Sequence, residues 1–242
     1  MKISSLSKIR QAVILAGGQG TRLRPLTLTT PKPLIPVAGK PFVQHMLEHL
    51  RDNGITEIVF LTSYLAEQFP ARFGDGSSLG LSIVYHESLL DDESGTRLKK
   101  AEQLLDDTFL LLYADNFWPV TIAQMENHHL THRKLVTMGA FTNKDGSSEY
   151  GFEHNLTVRE NKLLHYGPRG TGENAIDIGT FVVEKRALDF LPEGNPVFQR
   201  DITAVLIPQG EVAAFSVDTP YCYITDVSCL AKAEEYIRNL QK

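Results

Sequence analysis

Blocks of apolar residues, punctuated by glycine and proline, set the plan of this chain. Gln11 to Ala16 (QAVILA) is a short apolar run closed by Gly17-Gly18, the pattern of a buried strand. A loop dense in Gly, Thr, Arg and Pro runs on to about Gly39. The period then changes: Phe42, Val43, Met46, Leu47 and Leu50 share one helical face, and Gly54 is placed to end that helix. Glu57 to Thr62 (EIVFLT), Leu81 to Tyr85 (LSIVY) and Thr108 to Tyr113 (TFLLLY) predict further strands, with helices after Ser63 and over Thr96 to Leu105. Beyond these, helices are expected over 120–131, 185–191, 197–206 and 229–240, and strands over 134–141, 162–166, 177–183 and 211–217. Strands alternating with helices at this spacing argue for βαβ units, hence an α/β fold with a three-layer, mostly parallel sheet. Ligands of such sheets bind beyond the carboxyl ends of the strands, where the loops after Ala16 and Tyr113 lie.

No linker, repeat or low-complexity tract interrupts the pattern, so one domain is expected. Composition adds exclusions. With 42% hydrophobic and 22% charged residues, the chain is ordinary for a globular protein. A net charge of −5 supplies no basic footprint, so nucleic acid is not an expected partner. A polyphosphate ligand would need a local cluster of cations or a bound metal. Cys222 and Cys229 fit no zinc spacing and read as reduced structural residues. The apolar run near the N-terminus, about six residues, is too short for a signal-peptide core or a membrane span. A cytoplasmic protein without a membrane partner is expected; self-association is left open.

The first loop carries the candidate chemistry. Gly17, Gly18 and Gly20 directly follow a buried strand, so backbone N–H groups can approach a phosphate closely. The loop is not a Walker loop, since no GK[ST] closes it, and it lacks the third glycine of the dinucleotide fingerprint. Arg22, Arg24 and Lys32 gather cations beside the glycines in an otherwise acidic chain.

The segment LAGGQGTRLRPLTLTTPKPLIPVAGKP resembles the N-terminal motif of the sugar nucleotidyltransferases, also called nucleotide-sugar pyrophosphorylases. That family's pattern is Leu-(Ala/Gly)-Gly-x-Gly-Thr-Arg-Leu followed by Pro-Lys-Pro-(Leu/Met), and both halves stand here at the family spacing. The likeness is nearly unbroken over residues 12–62 and looser towards the C-terminus. It implies a Rossmann-like nucleotidyltransferase fold of the glycosyltransferase-A type over residues 1–242. Residues to about 145 would handle the nucleotide and those from about 146 the sugar phosphate. It implies further that Leu15, Ala16, Gly17 and Gly18 contact the nucleotide, with Gly18, Gly20 and Thr21 closing on the phosphates. Arg22 would bind the transferring and leaving phosphates, and Lys32 would bridge the α-phosphate and the sugar phosphate.

Asp115 ends the TFLLLY strand where a ligand should lie, and it matches the family's first metal-binding aspartate, with Ala114 in place of a glycine. Asp226, ahead of the last helix, matches the second; the resemblance thus implies Mg2+ held by Asp115 and Asp226. An alternative role for either is to cap a helix or turn. Glu93 to Leu98 (ESGTRL) resembles the segment abutting the base: Gly95 and Thr96 match, while Arg97-Leu98-Lys99 replaces a small Ala-Gly-Ala run. The loop Leu89 to Ser94 carries three acidic residues, which read equally as solvated surface.

The acceptor side departs more. Tyr150-Gly151 matches a Tyr-Gly whose backbone would face the sugar, but no lysine stands where the family's Glu-Lys-Pro would be. Arg169 is the expected substitute for the sugar phosphate, ahead of Lys162 and Lys185. Asp177 suits either sugar hydroxyl groups or a buried, satisfied carboxylate. His128, His129 and His132 share helical spacing near a helix end and are not read as a metal site.

The resemblance implies transfer of a nucleotidyl group from a nucleoside triphosphate, GTP favoured, to a sugar 1-phosphate of mannose or heptose type, with release of pyrophosphate. The alternatives are dTTP or UTP as donor, a cytidylyltransferase with a non-sugar phosphate or phosphonate acceptor, and a regulator that has lost catalysis.

Overall fold

The computed structural model describes residues 8–119, 121–142, 155–167 and 172–240. Tyr150, Gly151 and Arg169 lie outside the described residues.

The first half alternates strands and helices: β1 Gln11–Ala16, β2 Pro36–Val37, β3 Lys40–Pro41, α1 Phe42–Asp52, β4 Glu57–Thr62, α2 Gln68–Phe73, β5 Ser82–Glu87, α3 Ser94–Lys100, β6 Thr108–Tyr113 and β7 Asn116–Phe117. The second half adds α4 Ile122–His132, β8 Val136–Phe141, β9 Leu156–Arg159, β10 Lys162–Tyr166, β11 Ile176–Glu184, α5 Phe198–Leu206, β12 Val212–Val217, β13 Cys222–Tyr223 and α6 Val227–Leu240.

One sheet of nine strands carries both halves, in the order β5-β4-β1-β6-β11-β8-β12-β10-β9. β5, β4, β1 and β6 are mutually parallel, and β8 and β12 run the same way. β11 is inserted antiparallel between β6 and β8, and β10 opposes β12. Because β11 is reversed, its leading end at Asp177 shares a sheet edge with the trailing end of β6 at Asp115. That edge is where the site forms.

Alternation along the strands sends apolar side chains into two cores, one on each face. Ile14, Phe60, Leu112 and Val182 pack under Phe42, Met46, Leu50, Phe69, Met125 and Ile237 of α1, α2, α4 and α6. Val13, Leu111, Met138 and Phe181 meet Leu98, Ile202 and Leu206 of α3 and α5 on the other face. α1 ends as its sequence predicts, with Asn53 closing the last turn and Gly54 following at φ 92°.

Several expectations shift. The helix expected over Thr96 to Leu105 begins at Ser94 and stops at Lys100, with a 3-10 turn after it. Residues 185–190 form 3-10 rather than α structure, and the stretch after Ser63 becomes helical only at Gln68. The short ladders β2–β3 and β7–β13, with β9, carry too few residues to show a period. His129 is buried between Thr137 Oγ1, 2.9 Å from Nδ1, and Glu184 Oε1, 3.1 Å from Nε2. Among the described residues no helix is long and apolar enough to cross a membrane.

Candidate active site

A cleft of about 600 Å3 opens at the carboxyl ends of β1 and β6. Its floor is built by β1, whose apolar residues hold Leu15 and Ala16 centrally between β4 and β6. The ladder continues one residue beyond β6: the Ala114 N–H donates to Leu15 O at 3.1 Å, which fixes Asp115 beside the glycine loop.

Gly17, Gly18, Gly20, Thr21 and Arg22 line the cleft from one side. Gly20 adopts φ +60°, and a Cβ there would lie 2.9 Å from Thr27 Cγ2 and 3.0 Å from Lys32 Cβ. Only glycine suits both the left-handed backbone and the packed Lys32 stem. The loop is pinned from below, since Gly20 O accepts from Leu23 N–H and from Thr27 Oγ1, each at 2.9 Å. The Tyr64 hydroxyl donates to Thr27 O at 2.9 Å and holds its far side.

Lys32 and Asp115 meet at the centre. Lys32 Nζ lies 2.6 Å from Asp115 Oδ2, with the lysine side chain 12% exposed and the aspartate 33%. This pair joins residues far apart in sequence and puts a cation and an anion side by side in the lining of the same cleft. The Ile224 N–H donates to Asp115 O at 3.1 Å, and the β7–β13 ladder pairs Asn116 with Tyr223. These contacts bring Thr225 to the cleft lining; Asp226, the next residue, is not among the lining residues.

Asp226 caps α6. Its Oδ1 accepts from the Cys229 N–H at 2.9 Å and from Ser228 Oγ at 2.7 Å. The Cys229 N–H and then the Ser228 hydroxyl hold its carboxyl down to about 2, so it stays ionised. Capping and metal binding do not exclude each other, because a carboxylate has four lone-pair directions. Among the described residues no group of three or more His, Cys, Asp and Glu side chains could hold a metal. The oxygen donors Asp115 and Asp226 fit magnesium, which takes one or two carboxylates and completes its shell from phosphate and water. Asp115 already accepts a cation, Lys32.

Other expected residues sit elsewhere. The Gly95 N–H donates to Pro196 O at 2.9 Å and Thr96 Oγ1 donates to Asn195 Oδ1 at 2.7 Å, so both face the 195–196 turn and neither lines the cleft. From the same stretch, Glu93, Ser94 and Arg97 line it instead. Asp177 stands in the bulged start of β11, accepting from the Gly179 N–H at 2.8 Å and from the Tyr166 hydroxyl at 3.1 Å. Burial pushes its carboxyl up to about 6. Lys185 Nζ donates to Leu105 O at 2.9 Å, away from the cleft.

The sequence reading missed Tyr113, Val197 and Gln199, all on the cleft wall. The Tyr113 hydroxyl donates to Gln199 Oε1 and lies 3.3 Å from Ser94 Oγ. The neighbouring Asp115 was a signal for Tyr113; nothing local marks Val197 or Gln199, which α5 delivers from distant sequence.

The pattern of the Nucleotidyl transferase family matches residues 11–214, which take in the glycine loop, Lys32, Asp115 and Asp177. The chain belongs to that family. Among its relatives, a mannose-1-phosphate guanylyltransferase of Mycobacterium tuberculosis is 34% identical over 87% of this chain and 59% of its own length. A UTP–glucose-1-phosphate uridylyltransferase of Synechocystis is 31% identical over 82% of this chain and 54% of its own. The chain thus spans little more than half the length of these two relatives. A solved structure from Bacillus anthracis, described as a glucose-1-phosphate thymidylyltransferase, matches with a TM-score of 0.82 over 95% of both chains at 18% identity. This likeness establishes the nucleotidyltransferase fold.

Proposed function

We propose that this chain transfers a nucleotidyl group from a nucleoside triphosphate to a sugar 1-phosphate, releasing pyrophosphate, with GTP and a mannose- or heptose-type acceptor favoured. The observation that carries the reading is the Lys32–Asp115 pair at 2.6 Å, set against a glycine loop at the end of a buried strand. The name of the 34% identical relative supports the preference for GTP and mannose.

A phosphate oxygen of the acceptor forms a bond to the α-phosphorus as the bond to the bridging oxygen of pyrophosphate breaks. The attacking oxygen is already an anion, so no general base is needed, and catalysis rests on positioning and charge neutralisation. Arg22 offsets charge growing on the leaving pyrophosphate. Lys32 reduces the repulsion between two phosphate anions as they close. Asp115 and Asp226 would hold Mg2+, which would supply charge neutralisation for the phosphates. Residues up to about 145 serve the nucleotide and those from about 146 the sugar phosphate, with Asp177 contributing on that side.

The test is a pyrophosphate-release screen of the four nucleoside triphosphates and dTTP against a panel of sugar 1-phosphates, with phosphocholine included. Arg22→Ala is the control and should lose about 10²–10³ in kcat, as removal of one charge-stabilising donor typically does. GTP with mannose 1-phosphate should give the highest kcat/KM. Turnover with phosphocholine alone would replace this reading with the non-sugar one, and no turnover with any pair would end it.

A further inference from the structure

Arg97 lines the cleft and is 5% exposed. Its guanidinium is held by backbone carbonyls. Nε donates to Asp92 O at 2.7 Å, Nη2 to Leu89 O at 3.3 Å and Leu90 O at 3.2 Å, and Nη1 to Thr62 O at 3.4 Å. Thr62 ends β4, whereas the other acceptors belong to the turn leading into α3. Leu89 in that turn is 69% exposed, so apolar packing does little to hold it. Lys100 Nζ grips the Asp92 carboxylate at 2.7 Å from outside, and Arg97 grips the turn's carbonyls from inside.

The same guanidinium packs against the first residue of the glycine loop, through the Nη1 that donates to Thr62 O. A Cβ on Gly17 would lie 1.6 Å from Nη1 and 2.4 Å from Cζ. Gly17 has no left-handed φ, so this close approach, and not its backbone conformation, requires a residue without a side chain. Arg97 therefore hydrogen-bonds one wall of the cleft, at Leu90 and Asp92, and packs against the other, the loop beginning at Gly17. A forked group with five donors suits several carbonyls at once, which a lysine ammonium on its single flexible stem does not. Without it those carbonyls would be left unpaired in a part-buried turn, and the turn would have to reorganise.

Resting on the reading of this cleft as a nucleotide site, we propose that Arg97 is a positioning residue for the nucleoside end of the triphosphate. Arg22 and Lys32 take the phosphate end beyond Gly18, so the part of the cleft bounded by Gly17, Arg97 and the Leu90–Glu93 wall is left for the nucleoside. Arg97 sets the width of that part, and with it both affinity for the triphosphate and discrimination among bases.

The experiment uses the full chain and steady-state pyrophosphate release for wild type, Arg97→Ala, Arg97→Lys and Gly17→Ala. For Arg97→Ala, triphosphate KM should rise about tenfold or more while acceptor KM stays within about twofold and kcat within about threefold. The spread of kcat/KM among triphosphates should narrow. Inorganic tripolyphosphate, titrated by calorimetry, should bind wild type and variant alike. Gly17→Ala should reproduce the effect by pushing the guanidinium aside, and Gly17→Ala combined with Arg97→Ala should be no worse than the poorer single variant.

If Arg97→Ala does not fold, Arg97→Lys and Gly17→Ala carry the same readouts. Unchanged triphosphate KM and base preference in soluble variants would overturn the proposal. So would an equal loss of tripolyphosphate binding, which would make Arg97 a phosphate ligand. A wild type that turns over no triphosphate at all would overturn the functional reading itself, and this assignment with it.

Discussion

Asp177 shows how one residue's surroundings set its chemistry. Burial raises its carboxyl from an ordinary 3.8 to about 6, while the Gly179 N–H and the Tyr166 hydroxyl partly offset that rise. The folded state therefore keeps a proton on Asp177 in a pH range where the unfolded chain has already lost it. Below about 4 both states are protonated and above about 6 both are ionised, so this residue's contribution to stability falls as pH rises through that window. Asp177→Asn keeps the shape and the acceptor for Gly179 N–H but cannot ionise. The thermal midpoint of wild type relative to Asp177→Asn should thus decline between about pH 4 and pH 6 and be flat on either side, as scanning calorimetry at stepped pH would show. A constant difference across the range would mean that the carboxyl titrates normally. A carboxylate's pKa is not legible in sequence, because it depends on which distant groups exclude water from it.

At the scale of the element, Asp226 has two candidate duties on one helix. Its Oδ1 caps α6 through the Cys229 N–H, and it follows Thr225, which lines the cleft, while Asp226 itself is not among the lining residues. Asparagine caps about as well as aspartate, whereas alanine does not. Asp226→Asn should leave the thermal midpoint near wild type and raise the Mg2+ concentration needed for half-maximal activity, while Asp226→Ala should lower both stability and activity. An Asp226→Asn enzyme with unaltered Mg2+ dependence would reduce the residue to its cap. The cap was legible in sequence as an aspartate ahead of an apolar-periodic stretch. What carries the Thr225-Asp226 segment toward the strand that ends at Asp115 is the β7–β13 ladder, two residues long on each strand and too short to carry a pattern.

Across the whole molecule, β11 joins the halves. Phe181, fully buried at its centre, meets Tyr113 of β6 and Phe198 of α5 with ring centroids 6.3 and 5.6 Å away. Phe181→Ala should destabilise the protein by about 3–5 kcal/mol, the usual range for emptying such a site. Because Tyr113 also lines the cleft, the same change should weaken substrate binding, which a surface substitution of equal size would not. Urea unfolding checks the first effect and KM the second. A loss below about 1 kcal/mol would mean that the core closes over the gap. One sheet shared by both halves also predicts a single cooperative unfolding transition.

The sequence by itself determined those features that are local in the chain: the buried strands, the periodic helices, and a loop where glycines, Arg22 and Lys32 stand together. Each is written in residues that are neighbours or one helical turn apart, so period and spacing suffice to read it. Tertiary structure decided what those features face. It reversed β11 to bring Asp177 to the edge that holds Asp115, and it carried Val197 and Gln199 to the cleft wall at the start of α5. It turned Gly95 and Thr96 towards Asn195 and Pro196. It also made Gly17 a contact point for Arg97, eighty residues on. Such relations are distances between segments that fold together only when two cores close. No local pattern of residue types records them.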